Sequence, residues 1–197
     1  MSVILASGSP RRRELLSMLG VRDLKIIPAR GDENPPPGAS PAETVMALSE
    51  AKANEVFTRL RDSSELSPGD IIIAADTIVE LDGTILGKPK DTEDAHRMLR
   101  ALSGRGHRVF TGVTVMSSSG EKLREYEVTT VRFREIDEDE IIRYTATGEP
   151  MDKAGSYGIQ GRGSLLVESL DGDYFNVVGL PVCRLGKMLK KLGVDLI

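Results

Sequence analysis

The sequence predicts an α/β protein with a mixed central sheet flanked by helices, and three observations predict it. Short apolar runs alternate with stretches of helical periodicity through the first half of the chain. The run Ile71–Ala75 is wholly apolar and rich in β-branched residues, as a central strand buried on both faces would be. Two long β-rich segments, 108–116 and 122–133, then flank a turn at Ser117–Gly120, which adds a hairpin to a sheet begun by crossovers.

Each element has its own signal. Val3–Ala6 is apolar and reaches a Ser-Gly-Ser-Pro turn, after which Leu15, Leu16 and Leu19 recur at helical spacing up to Gly20. Ser9 stands at the N-cap of this helix with Pro10 at its first position, and Gly20 stops it. A second strand over 24–28 runs into the Pro-rich loop 31–41. Ser40, Pro41 and Glu43 end that loop as a capping box ahead of a helix reaching about Leu60. After the central strand, Asp82-Gly83 predicts a hairpin between 78–81 and 84–86, and Asp91 caps a helix to about Leu102. Past the long hairpin, 137–147 reads as helix. A glycine-rich stretch holds Gly155, Gly158, Gly161 and Gly163, a strand pair turns at Asp171-Gly172, and a helix over 181–192 closes the chain.

A length of 197 residues suits one domain spanning 1–197, creased into two lobes. The net charge of −4 argues against a nucleic-acid partner. No apolar run approaches the roughly 20 residues that span a bilayer, and the N-terminus lacks signal-peptide order, so no membrane partner and a cytoplasmic location are expected. Cys183 is the only cysteine, which excludes an internal disulfide; its apolar neighbours suggest a small core residue. Charge is unevenly spread. Arg11, Arg12, Arg13, Arg22, Lys25 and Arg30 face only Glu14 and Asp23 within the first thirty residues, which points to an anionic ligand.

On the first helix, Arg11 and Arg12 fall on the side of Leu15, Leu16 and Leu19, while Arg13 falls nearly opposite. Two inward arginines at a helix N-terminus match a polyphosphate; a solvated basic first turn is the alternative. On the long helix, Val45, Leu48 and Val56 define an apolar stripe, and Lys52 projects within about 20–40° of it. That break in pattern marks a site, unless the lysine stem merely snorkels past the core to water. Asp76 follows the run 71–75 at its carboxyl end, where open α/β sheets place their ligands. Its carboxylate suits binding of Mg²⁺ or acceptance of a proton from an attacking water; capping a turn with Thr77 is the structural alternative. Glu33, in the loop after the second strand, offers a second carboxylate to the same metal; a solvated loop glutamate is the alternative. Gly83–Lys88 imitates a P-loop but is one residue short, continues with Pro89 and lies in a hairpin. His96 and His107 are isolated, so neither zinc nor acyl-transfer chemistry is indicated.

Taken together, the segments Ala6–Leu16 (ASGSPRRRELL), Ala75–Val79 (ADTIV), Gly87-Lys88-Pro89 and Asp152–Gly161 (DKAGSYGIQG) resemble the signature of the Maf family of nucleoside triphosphate pyrophosphatases. Four blocks in order across nearly the whole chain make the resemblance specific. It implies a fold like that of the inosine triphosphate pyrophosphatases, with two lobes around a cleft, a divalent cation (Mg²⁺ or Mn²⁺), a small-molecule nucleotide substrate and a homodimer. It makes Asp76 the proton acceptor and a metal carboxylate, with Glu33 as companion. Ser9, Arg11, Arg12, Lys52, Lys88 and Lys153 would hold phosphates. Arg11, Thr77 and Gln160 resemble the positions that mark the dTTP/UTP branch; the branch acting on 7-methyl-GTP typically carries Trp and Glu in place of Arg11 and Gln160. Modified pyrimidine nucleotides are expected as further substrates. The alternative from another class is a nucleotide-binding regulator of septum formation or cell division, in which hydrolysis is incidental.

Overall fold

In the computed structural model, residues 2–21, 23–31 and 34–196 are described. Among the described residues, seven strands, β1 (Val3–Leu5), β2 (Leu24–Ile26), β3 (Ile71–Leu81), β4 (Thr84–Leu86), β5 (Gly106–Ser117), β6 (Lys122–Phe133) and β7 (Val167–Asp171), form one sheet in the order β2-β1-β3-β5-β6-β7, with β4 paired to β3. The sheet is mixed: β1 pairs in parallel with β2 and β3, whereas β3–β4 and β6–β7 are antiparallel. The chain divides into two compact units.

The first unit comprises residues 1–76, 111–127 and 179–197. Its strands are β1 (Val3–Leu5), β2 (Leu24–Ile26) and the leading part of β3 (Ile71–Leu81). Parts of β5 (Gly106–Ser117) and β6 (Lys122–Phe133) complete them. Helix α1 (Pro10–Met18) buries Leu15 and Leu16. The expected Ser9 cap is only half present: Ser9 has the extended backbone of an N-cap, but its side chain makes no capping bond. Helix α2 (Pro41–Asp62) begins at the predicted capping box, with Ser40 and Glu43 satisfying each other's backbone N–H groups. Its apolar face packs Ala53, Val56 and Leu60 with Ile4, Ala6, Ile72, Ala74 and Met116. At Gly112 an added Cβ would stand 2.2 Å from the Val45 carbonyl oxygen, so only glycine lets β5 run this close under the α2 backbone. Helix α6 (Val182–Lys191) buries Leu185, Met188 and Leu189. Cys183 lies off that stripe and is exposed, which corrects its reading as a core residue.

The second unit comprises 77–110 and 128–178. The Asp82-Gly83 hairpin joins the end of β3 to β4 (Thr84–Leu86), with Leu81 opposite Thr84. Asp91 caps α3 (Thr92–Leu102) and Asp137 caps α4 (Glu138–Thr145) through a second capping box. Leu99, Leu102, Val131, Phe133 and Ile141 form the centre of its core. Between α4 and β7 (Val167–Asp171) the chain makes 3₁₀ turns at Glu149–Asp152, Ala154–Ser156 and Gly161–Leu166. The strand pair expected around Asp171-Gly172 is absent. β7 instead pairs with β6, and Asp173 accepts the Phe175 N–H at 2.8 Å to start α5 (Tyr174–Val178).

Candidate active site

Asp76 does not follow its strand, as the apolar run suggested, but sits within it, since β3 continues to Leu81. The continuation is stabilised by Ile78, Val79 and Leu81, all buried, while the buried Glu80 carboxylate is answered by Arg108 at 2.7 Å. Asp76 is the last residue of the first unit, and its side chain is 8% exposed. A carboxylate so withdrawn from water needs a counter-charge. Lys52 of α2 supplies it, with Nζ 2.6 Å from Oδ1 and its own side chain 15% exposed. Lys52 therefore leaves the apolar face of its helix to reach a carboxylate, not solvent.

The basic N-terminus of α1 is organised as well. Arg11 and Arg12 are half-buried and Arg13 exposed, as the helical wheel requires. The Arg12 guanidinium donates through Nε to the Gly179 carbonyl at 2.8 Å and through Nη1 to Ser7 Oγ at 3.0 Å. Ser7 Oγ also accepts the Ser9 N–H at 3.3 Å, so Ser7 ties the loop to the arginine. Ser7 was not singled out from the sequence, although it lies within the quoted first block. Glu33 lies outside the described residues.

The remaining predicted residues belong to the second unit. Thr77 is half-buried on β3, and Lys88 is exposed after β4. Lys153 links two of the 3₁₀ turns; its Nζ bonds the Glu149 carbonyl at 2.5 Å and Asp152 Oδ1 at 2.6 Å. Gln160 is exposed at the residue preceding the turn Gly161–Leu166. Glu149 itself, unmarked in the sequence, accepts backbone N–H groups of Arg162 and Gly163, each at 3.0 Å, and the Tyr144 hydroxyl at 3.0 Å. Partial burial works against its charge, but the Gly163, Arg162 and Tyr144 bonds and the Lys153 ammonium outweigh it and hold the carboxyl below its usual range.

Among the described residues, no three His, Cys, Asp or Glu side chains gather as a ready metal cage. Asp76 contributes one hard oxygen-donor group of the kind Mg²⁺ and Mn²⁺ take. No helix among the described residues is long and apolar enough to cross a membrane.

The family profile described as Maf-like protein matches residues 2–192. A relative from Pelotomaculum thermopropionicum named dTTP/UTP pyrophosphatase is 48% identical over 99% of this chain and 98% of its own. One of the same name from Caldicellulosiruptor bescii is 49% identical over 98% and 96%. A solved dITP/XTP pyrophosphatase from Mycobacterium abscessus aligns over 98% and 97% at 15% identity, with a TM-score of 0.44. The profile covers all four sequence blocks as well as Lys52 and Asp76, the two charged residues found joined in the structure, and the chain belongs to the Maf family.

Proposed function

We propose that this protein is a nucleoside triphosphate pyrophosphatase that hydrolyses dTTP and UTP to the nucleoside monophosphate and pyrophosphate. The observation that carries the reading is the Lys52–Asp76 pair, a buried carboxylate bonded to an ammonium at 2.6 Å, in a chain whose full-length relatives bear the name dTTP/UTP pyrophosphatase. Cutting the α–β anhydride requires water to attack phosphorus while negative charge moves onto the leaving pyrophosphate. Asp76 orients that water and accepts its proton. Lys52 bonds Oδ1 and so fixes the direction of the carboxylate's other oxygen. Arg11 and Arg12, with Ser9, Lys88 and Lys153, bind the phosphates, where arginine forks and lysine point charges favour the charge of the transition state.

A divalent cation, Mg²⁺ or Mn²⁺, belongs to the same proposal; Asp76 and Glu33 would hold it. When bound it neutralises phosphate charge. Gln160 carries both donor and acceptor atoms and pairs with the O4 and N3–H edge of uracil or thymine, with Arg11 and Thr77 completing the discrimination. A cytoplasmic homodimer and modified pyrimidine nucleotides as further substrates complete the reading. The test is purified protein with UTP, dTTP, CTP, GTP and 7-methyl-GTP plus Mg²⁺ or Mn²⁺, assayed separately for pyrophosphate and orthophosphate. Pyrophosphate from UTP and dTTP is expected; orthophosphate as the first product would move the cut to the terminal phosphate and overturn the proposal.

A further inference from the structure

The segment 153–163 contains two residues of the proposed site, Lys153 and Gln160, yet its only regular structure is in short 3₁₀ turns. Its backbone is unusual. Gly155 and Gly161 are left-handed, at φ +68° and +70°, and so is the fully buried Ser156, at φ 60°. For a serine that conformation costs about 1 kcal/mol or more and persists only where the surroundings impose it. The segment also folds tightly on itself. A Cβ on Gly163 would lie 2.3 Å from the Gly158 carbonyl oxygen and 2.5 Å from the Tyr144 hydroxyl, and one on Gly158 would lie 2.8 Å from Lys153 Cε.

Several of the bonds that hold this backbone converge on one carboxylate. Glu149 Oε1 accepts the Tyr144 hydroxyl and the Gly163 N–H, and Oε2 accepts the Arg162 N–H. The Tyr144 oxygen in turn accepts the Gly158 N–H at 3.2 Å, and the Glu149 carbonyl accepts Lys153 Nζ. Backbone groups on both sides of Gln160, at Gly158 and at Arg162 and Gly163, are thus tied directly or through one hydroxyl to the same side chain. Charge-assisted bonds to an ionised acceptor are the strong kind, which suits a residue that must hold irregular backbone.

We infer that Glu149 is a positioning residue for substrate selection: it sets the backbone shape on both sides of Gln160 and thereby the place of the Gln160 amide. The inference rests on the proposed function. Because Glu149 acts through Gln160, its loss should alter which base is preferred more than how fast the anhydride is cut.

Glu149→Gln tests this, because the amide keeps the size of the side chain but turns an NH₂ towards a backbone N–H. The variant and the wild type are assayed for pyrophosphate release from UTP and GTP, with melting curves run alongside. The expected result is a fall of about tenfold in the UTP-to-GTP ratio of kcat/KM, carried mainly by a higher KM for UTP, at a temperature where the variant is folded. Tyr144→Phe removes one hydroxyl from the same network and should shift the ratio in the same direction by less; it decides the matter if Glu149→Gln does not fold. Equal losses on both nucleotides, leaving the ratio unchanged, would reduce Glu149 to a structural residue and overturn this inference alone. A wild type that releases no pyrophosphate from UTP, or does not prefer it to GTP, overturns the proposed function and this inference with it.

Discussion

In the first unit the charged residues of the candidate site stand on regular elements, Lys52 on a 22-residue helix and Asp76 on an 11-residue strand. In the second unit Lys88 follows β4, and Lys153 stands in a run of short turns whose backbone the Glu149 carboxylate ties at Arg162 and Gly163. A periodic element announces a charged residue by the pattern that it interrupts. A turn has no pattern to interrupt. The two carboxylates are also answered differently: Asp76 is met by the Lys52 ammonium, whereas Glu149 is met by backbone N–H groups and a hydroxyl. The first arrangement leaves a compact charged pair suited to proton and phosphate chemistry, and the second fixes backbone shape.

The contrast can be broken most sharply at Lys52. Lys52→Met keeps the stem and removes the charge, and pyrophosphate release from UTP should fall by about 10²–10³-fold in steady-state assays. Stability should also drop by about 3–5 kcal/mol in urea unfolding, since Asp76 is left buried without its counter-charge. Next in size is Gly112→Ala, where the new methyl would meet the Val45 carbonyl at 2.2 Å. A loss of about 3 kcal/mol or a failure to fold is expected, measured by the same unfolding curves.

In the second unit the sharper test is pH. His107 is buried, packs edge-on to Phe133 and Tyr157, and has Nε2 2.8 Å from the Tyr157 hydroxyl. Burial pushes its pKa down to about 4 from the usual 6.5. Between those values the unfolded chain binds the extra proton, so the stabilisation is complete above about pH 6.5 and is lost as pH falls towards 4. The loss is of the order of 3 kcal/mol. His107→Gln keeps a partner for Tyr157 and should flatten the pH dependence of unfolding between pH 7 and 4.5 relative to the wild type. The smallest effect is expected at Ser40→Ala, which removes the α2 capping box and should cost about 1 kcal/mol without changing the nucleotide preference.

Much of the fold was legible because its signals are local. Both capping-box and Asp-capped helix starts, the Asp82-Gly83 hairpin and the strand over 122–133 follow from residue types at fixed offsets. Where local signals compete, reading fails. Asp171-Gly172 has hairpin chemistry, but Asp173 caps a helix at once and leaves β7 to pair with β6. Asp76-Thr77 looked like the end of a strand because polar residues follow an apolar run; tertiary partners for Asp76 and Glu80 carry the strand through. Of the site, Lys52 was visible as a charge beside an apolar stripe. Lys88, Lys153 and Gln160 were found through family resemblance, and Glu149 was invisible because its role depends on amides thirteen and fourteen residues away.

The most direct test of the account is Asp76→Asn, with pyrophosphate release from UTP measured beside UTP binding by calorimetry. The side chain keeps its size and loses the capacity to accept a proton. Turnover should fall by about 10²–10⁴-fold while UTP still binds and the protein stays folded. Pyrophosphate release at the wild-type rate from the folded variant would contradict the assignment of the chemistry to the Lys52–Asp76 pair.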